Sequence, residues 1–172
     1  MKGVAQAGAR QSSDCADMVQ LLAYSGVRLN EAVSLRWRHV DSVNGRLTVP
    51  GTKTETSFRT VPLFPALAAL LAEIRARRGV EESVESPILG VKECKSALRS
   101  ACKAVGVKAI THHDLRHFFA TTCIESDVDI PTVSRWLGHN DGGALAVRVY
   151  GHLRQEHSQV QAARVNFGVG AA

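Results

Sequence analysis

Apolar residues recur at helical spacing along most of this chain and alternate with polar ones in a single region. Leu67, Leu70, Leu71 and Ile74 stand at i, i+3, i+4 and i+7, which places them on one helix face. Arg75, Arg77 and Arg78 load the last turn, where cations suit the helix dipole, and Gly79 ends it. Upstream, Met18, Leu21 and Leu22 follow Asp14 and Asp17 in a helix that Gly26 stops. A short helix then fits Leu29 to Leu35, with Leu29, Ala32, Val33 and Leu35 available to a core. Cys94, Leu98, Ala101, Cys102 and Val105 form another apolar stripe. Helices over His113 to Ser126, Pro131 to Leu137, a stretch before Tyr150, and Arg154 to Val165 complete the series.

Between His39 and Leu63 the pattern changes. Arg46 to Pro50 and Phe58 to Leu63 are rich in β-formers, a Val-Asn-Gly turn at Val43 to Gly45 precedes them, and GTKTETS separates them. The fold class that follows is mainly α with a small antiparallel β-sheet, an α+β arrangement of helices around two or three strands. Residues 1–13, MKGVAQAGARQSS, read as a flexible amino-terminal segment, and residues 14–172 as one domain.

Composition narrows the partners. The chain has 21 basic and 16 acidic residues, a net charge of +5 that favours a polyanion. Cys15, Cys94, Cys102 and Cys123 make no Cys-x-x-Cys pair, which suggests neither a zinc knuckle nor a disulfide framework and fits reduced thiols in the cytoplasm. The longest apolar run, Phe64 to Ala72, falls well short of the ~20 residues of a membrane span. No membrane partner is therefore expected.

The segment THHDLRH concentrates the candidate chemistry. A helix starting near His113 puts His113, Arg116 and His117 on one face. One reading is a polar helix start with solvated histidines. A second is a metal site on His113 and His117, which lacks both the glutamate after the first histidine and a further carboxylate ligand. A third is an oxyanion site, in which a planar guanidinium grips two oxygens and imidazoles donate further bonds. That third reading asks for more cations. Arg28, in YSGVRLNEAVSLRW, and Lys53, in the GTKTETS turn, are the candidates, although a salt bridge with Glu31 would also account for Arg28 and simple exposure for Lys53. Lys53 does not belong to a phosphate-binding P-loop, because the glycine spacing fails.

Five dispersed motifs, YSGVRLNEAVSLRW, GTKTETSFRTVPL, HHDLRHFFATT, WLGHN and VYGHL, occur in an order that resembles the tyrosine recombinases, the phage-integrase class of DNA breaking and joining enzymes. The resemblance runs from about Ser13 to His152. It implies a tyrosine-recombinase-like catalytic domain in which Arg28, Lys53, His113, Arg116, His139 and Tyr150 are catalytic. Arg28, Arg116 and His139 would bind the scissile phosphate, Glu31 would support Arg28, and Leu35, Trp37, Leu115 and Leu137 would pack around them. It also implies double-stranded DNA as partner, no cofactor and no metal.

The chemistry of the residues agrees with those roles. Fixed cations would stabilise charge growing on the nonbridging oxygens. A tyrosine hydroxyl, titrating near ~10, needs a base or a stabilised phenolate, which His113 and the arginines could supply. Lys53 is the candidate acid for the leaving 5′-hydroxyl. The chain has two tyrosines, and Tyr24 in LLAYSG reads as a packing residue. The expected activity is site-specific recombination through a covalent 3′-phosphotyrosine; the alternative is a catalytically idle DNA-binding remnant of the same fold. Tyr150 lies eleven positions after His139, more than is usual in the family. On this resemblance the chain would be an isolated catalytic domain without the family's amino-terminal DNA-binding domain. A full-length enzyme would form a tetramer on paired DNA sites, its tail after Tyr150 docking on a neighbour, and this domain would be a monomer or weak oligomer without DNA.

Overall fold

A computed structural model describes residues 2–51, 58–79 and 83–139, with side chains from residue 12 onward. Lys53, Tyr150 and the predicted helix over Arg154 to Val165 lie outside the described residues. The chain divides into two units, Met1–Ala120 and Thr121–Ala172.

The first unit opens with helix α1 (Lys2–Ser25) and the short helix α2 (Leu29–Ser34). A 3-10 turn at Trp37–His39 leads into strands β1 (Val40–Asp41), β2 (Arg46–Val49) and β3 (Arg59–Pro62), followed by α3 (Pro65–Arg78), α4 (Lys95–Ala104) and the start of α5 (His112–Glu125). α1 is longer than the pattern predicts, because the stretch expected to be loose is already helical from Lys2. Its run of alanine, glutamine and arginine consists largely of good helix formers, which lets the helix propagate ahead of its apolar stripe.

The three strands form one antiparallel sheet in the order β1-β2-β3, with Val40 opposite Leu47, Leu47 opposite Val61 and Val49 opposite Arg59. Leu47, Val49 and Val61 are fully buried, so one sheet face joins the core. α1 packs against α2, α3 and α4. Met18, Leu21 and Leu22 meet the core beside Leu67, Leu70, Leu71 and Ile74, and all seven are buried. Two ion pairs bridge α1 and α3, Arg77 with Asp17 at 2.6 Å and Arg78 with Asp14 at 3.4 Å. Arg75 lies over the Trp37 ring, 5.1 Å from its centroid.

The α4 stripe is narrower than its sequence suggests. Cys94, Leu98 and Cys102 are buried, whereas Ala101 is exposed and Val105 is 72% exposed. Val105 lies beyond the helix end at Ala104, so its apolar position has no face to join. All four cysteines are free thiols. Burial pushes the Cys94 and Cys123 thiols up to about 11.

In the second unit α6 (Ile130–Leu137) buries Ile130, Val133, Ser134 and Leu137. Asp129 caps it, accepting a hydrogen bond from the Thr132 amide at 2.8 Å, and Gly138 closes it in the left-handed conformation at φ 69°. Among the described residues no helix is long and apolar enough to cross a membrane.

Candidate active site

The site assembles where α1 ends. Gly26 leaves the helix at φ 64°, a conformation that suits glycine, and its amide closes the last turn on the Leu22 carbonyl at 3.0 Å. No side chain would fit there in any case, because a Cβ on Gly26 would run into the Phe119 ring. That ring also packs edge-on against Phe64 at 5.7 Å. With the helix C-terminus fixed in this way, the Gly26 carbonyl faces α5, and the Arg116 guanidinium donates to it through Nη1 at 2.6 Å. Arg116 is only 5% exposed, so the fold holds a permanent cation inside the protein, bonded to a carbonyl that lies two residues before Arg28 in the chain.

Arg28 is the residue before α2, and Glu31 stands in that helix's first turn. Glu31 reaches back to accept from the Arg28 amide at 2.6 Å and from Arg28 Nη1 at 3.1 Å. The salt bridge foreseen from the sequence therefore forms, and it places Arg28 instead of burying it, since the arginine side chain remains 49% exposed. Glu31 itself is 3% exposed.

One partner of Glu31 was not foreseen. Arg59, the first residue of β3, donates through Nη1 to Oε1 at 2.8 Å and through Nη2 to Oε2 at 2.7 Å, a two-pronged fork on the carboxylate. Burial would raise the Glu31 pKa. The Arg59 hydrogen bonds, the Arg28 amide and the two guanidinium charges outweigh it and bring the carboxyl down to about 2. Alternation in FRTVPL carried the signal for Arg59: it stands two positions from the fully buried Val61, on the sheet face that meets the core, while Phe58 turns out to solvent at 59% exposure. An arginine on that face requires a buried partner.

The start of α5 orients the histidines. Thr111 and Asp114 form a reciprocal cap in which Asp114 accepts from the Thr111 amide and hydroxyl, both at 2.7 Å, and the Asp114 amide donates to the hydroxyl at 3.3 Å. Those bonds hold the Asp114 carboxyl below its usual range. His113 and His117 lie one turn apart with ring centroids 4.5 Å from each other, meeting edge to face. Burial, then the neighbouring His113 and Arg116, lower the His117 pKa, so this ring favours its neutral form. His113 is exposed, whereas His112 turns to Cys94, with Nε2 3.2 Å from the sulfur. No group of three potential metal-ligating side chains occurs among the described residues.

Arg28, Glu31, His113 and Arg116 belong to one unit, in which the Gly26 carbonyl ties Arg116 to the end of α1 and the Glu31 carboxylate ties Arg28 to Arg59. His139 belongs to the second unit, immediately after Gly138, with its amide bonded to the Ser134 carbonyl at 3.1 Å.

The phage integrase family model matches residues 5–157. The chain belongs to that family. This integrase-family chain is 33% identical over 147 residues to the tyrosine recombinase XerC of Xanthomonas campestris pv. campestris (strain B100), covering 81% of the chain and 44% of the relative. It is 32% identical over 185 residues to XerD of Rhizobium meliloti (strain 1021), covering 92% and 56%. The chain therefore spans about half the length of these curated relatives. Its fold matches the crystal structure of XerA recombinase with a TM-score of 0.68 at 23% identity, over 88% of this chain and 62% of that one. It also matches XerH recombinase in a pre-cleavage complex with difH substrate, with a TM-score of 0.64 at 22% identity, over 86% and 45%.

Proposed function

We propose that this chain is the catalytic portion of a site-specific DNA recombinase. The observation that supports this most strongly is the buried Arg116, held on the Gly26 carbonyl beside an Arg28 that Glu31 orients while leaving it half-exposed. A pair of fixed guanidinium groups offers a phosphodiester the stabilisation its transition state lacks in water. His139 is the third phosphate ligand.

In the proposed reaction Tyr150 Oη attacks the scissile phosphorus and its proton passes to His113. The P–O5′ bond breaks, and the departing oxygen takes a proton from Lys53 to become a free 5′-hydroxyl. The DNA 3′-phosphate then stays on Tyr150 as an ester, so a second 5′-hydroxyl can reverse the steps and release the tyrosine. The number of phosphodiester bonds is conserved. Double-stranded DNA is the substrate, and strand exchange takes place in a tetramer on two paired sites; the similar Tn1549 transposon integrase is in complex with circular intermediate DNA, which suits this reading.

Relaxation of supercoiled plasmid, quenched with denaturant to trap protein-linked nicks, tests the proposal. The parent is expected to relax plasmid and form adducts in the presence of chelator, and Tyr150→Phe to do neither. Plasmid binding without adducts would favour the idle remnant, and relaxation by Tyr150→Phe would assign the nucleophile elsewhere.

A further inference from the structure

The Glu31 carboxylate is shared evenly between two arginines. Oε1 accepts from Arg28 Nη1 and Arg59 Nη1, and Oε2 accepts from the Arg28 amide and Arg59 Nη2. The three side chains carry two positive charges and one negative. Were Arg59 missing, the buried carboxylate would have Arg28 as its remaining guanidinium partner, and that pair would be neutral. A neutral pair attracts a phosphate far less than a net cation does, and Arg28 would be drawn toward the acid and away from solvent.

We propose that Arg59 is a positioning residue for catalysis: by clamping Glu31 from β3 it neutralises the acid and leaves Arg28 fixed in place with its positive charge directed at the substrate. This deepens the recombinase reading and rests on Arg28 as a phosphate ligand. Both terminal nitrogens of Arg59 donate to the Glu31 carboxylate, so it acts through Arg28.

The idea separates from a purely structural role by the charge of the substrate. A methylphosphonate replaces one nonbridging oxygen with a neutral methyl, which removes the charge that Arg28 balances. A synthetic duplex carrying a cleavage site mapped from the plasmid adducts, with either a phosphodiester or a methylphosphonate at the scissile position, would be cut by the parent, Arg59→Gln and Arg59→Lys. At saturating duplex, Arg59→Gln is expected to slow phosphodiester cleavage by roughly 10–100-fold, less than direct loss of a transition-state donor. The deficit should shrink to within about threefold on the methylphosphonate, and Arg59→Lys, which restores the charge, should recover part of the rate.

In a Glu31→Gln background, which has no acid to neutralise, Arg59→Gln should cost little; this pair of variants also covers the case in which the single Arg59→Gln does not fold. Equal slowing on both substrates, or parental cleavage by a folded Arg59→Gln, would overturn the proposal. A parent that cuts neither substrate refutes the recombinase reading instead. The clamp is then judged by the NMR titration of the Glu31 carboxyl, which must move up from about 2 in Arg59→Gln, and an unmoved titration overturns it.

Discussion

Gly26→Ala tests how the end of α1 sets the site. An L-residue at φ 64° costs about 1–2 kcal/mol. The new Cβ would also lie 2.8 Å from Phe119 Cγ and 2.9 Å from Cε1, and displacing a packed ring costs about 1–3 kcal/mol. Alanine restricts the unfolded chain and returns about 0.4–1 kcal/mol. The net loss is about 1–5 kcal/mol, and a loss near 3 lowers Tm by about 6–12 °C in a chain of this size. Gly45→Ala supplies the control. Gly45 has φ 63° but no atom within 4 Å of an added Cβ, so it carries the same backbone strain without the overlap. Urea unfolding of the parent and both variants should rank Gly26→Ala lowest, with Gly45→Ala about 0–2 kcal/mol below the parent. Because the Gly26 carbonyl holds Arg116, DNA cleavage should fall in Gly26→Ala and not in Gly45→Ala. If Gly26→Ala matches Gly45→Ala in both stability and cleavage, the ring does not pin this turn and the argument for the Arg116 anchor fails.

Acid should weaken the fold through Glu31: its carboxyl lies at about 2 when folded against an ordinary value of 4.5, so the stability it contributes is present above pH 4.5 and is lost as pH falls toward 2. The amount is about 3 kcal/mol, and urea midpoints for parent and Glu31→Gln across that window should converge at low pH; parallel curves would contradict the linkage. Asp129→Ala removes the α6 cap and should destabilise by about 0.5–2 kcal/mol, an effect that Asp129→Asn largely avoids; thermal melts of the pair check it. Cys94 and Cys123, with thiols near 11 and buried, should react with iodoacetamide at neutral pH only as fast as the protein opens, so rapid labelling of the native protein by mass spectrometry would count against their packing.

The helical stripes were legible because burial obeys their period: Leu67, Leu70, Leu71 and Ile74 all reach the core as their spacing requires. Val105 misled because periodicity does not reveal where a helix stops, and α4 stops one residue before it. The helix start at Lys2 gave no signal, since helix propensity without an amphipathic pattern gives no stripe to read. Arg28, Glu31, His113 and Arg116 were proposed as site residues through motif order, and the sequence also suggested the Arg28 to Glu31 pair, three residues apart, which forms. Arg59 escaped because its partner is 28 residues away and long-range pairing has no local signature beyond one charged residue on a buried strand face. The Gly26 carbonyl escaped for a different reason: backbone acceptors carry no residue type to recognise.

The account stands on Tyr150 as the atom source of the covalent bond to DNA. Trapped adducts digested with nuclease and protease leave one peptide bearing a nucleotide, and tandem mass spectrometry locates it. The account predicts a phosphodiester mass on Tyr150, released by a 5′-hydroxyl strand, with Tyr24 unmodified. A nucleotide on Tyr24 or on a serine, or DNA relaxed with no linked peptide at any residue, would contradict it.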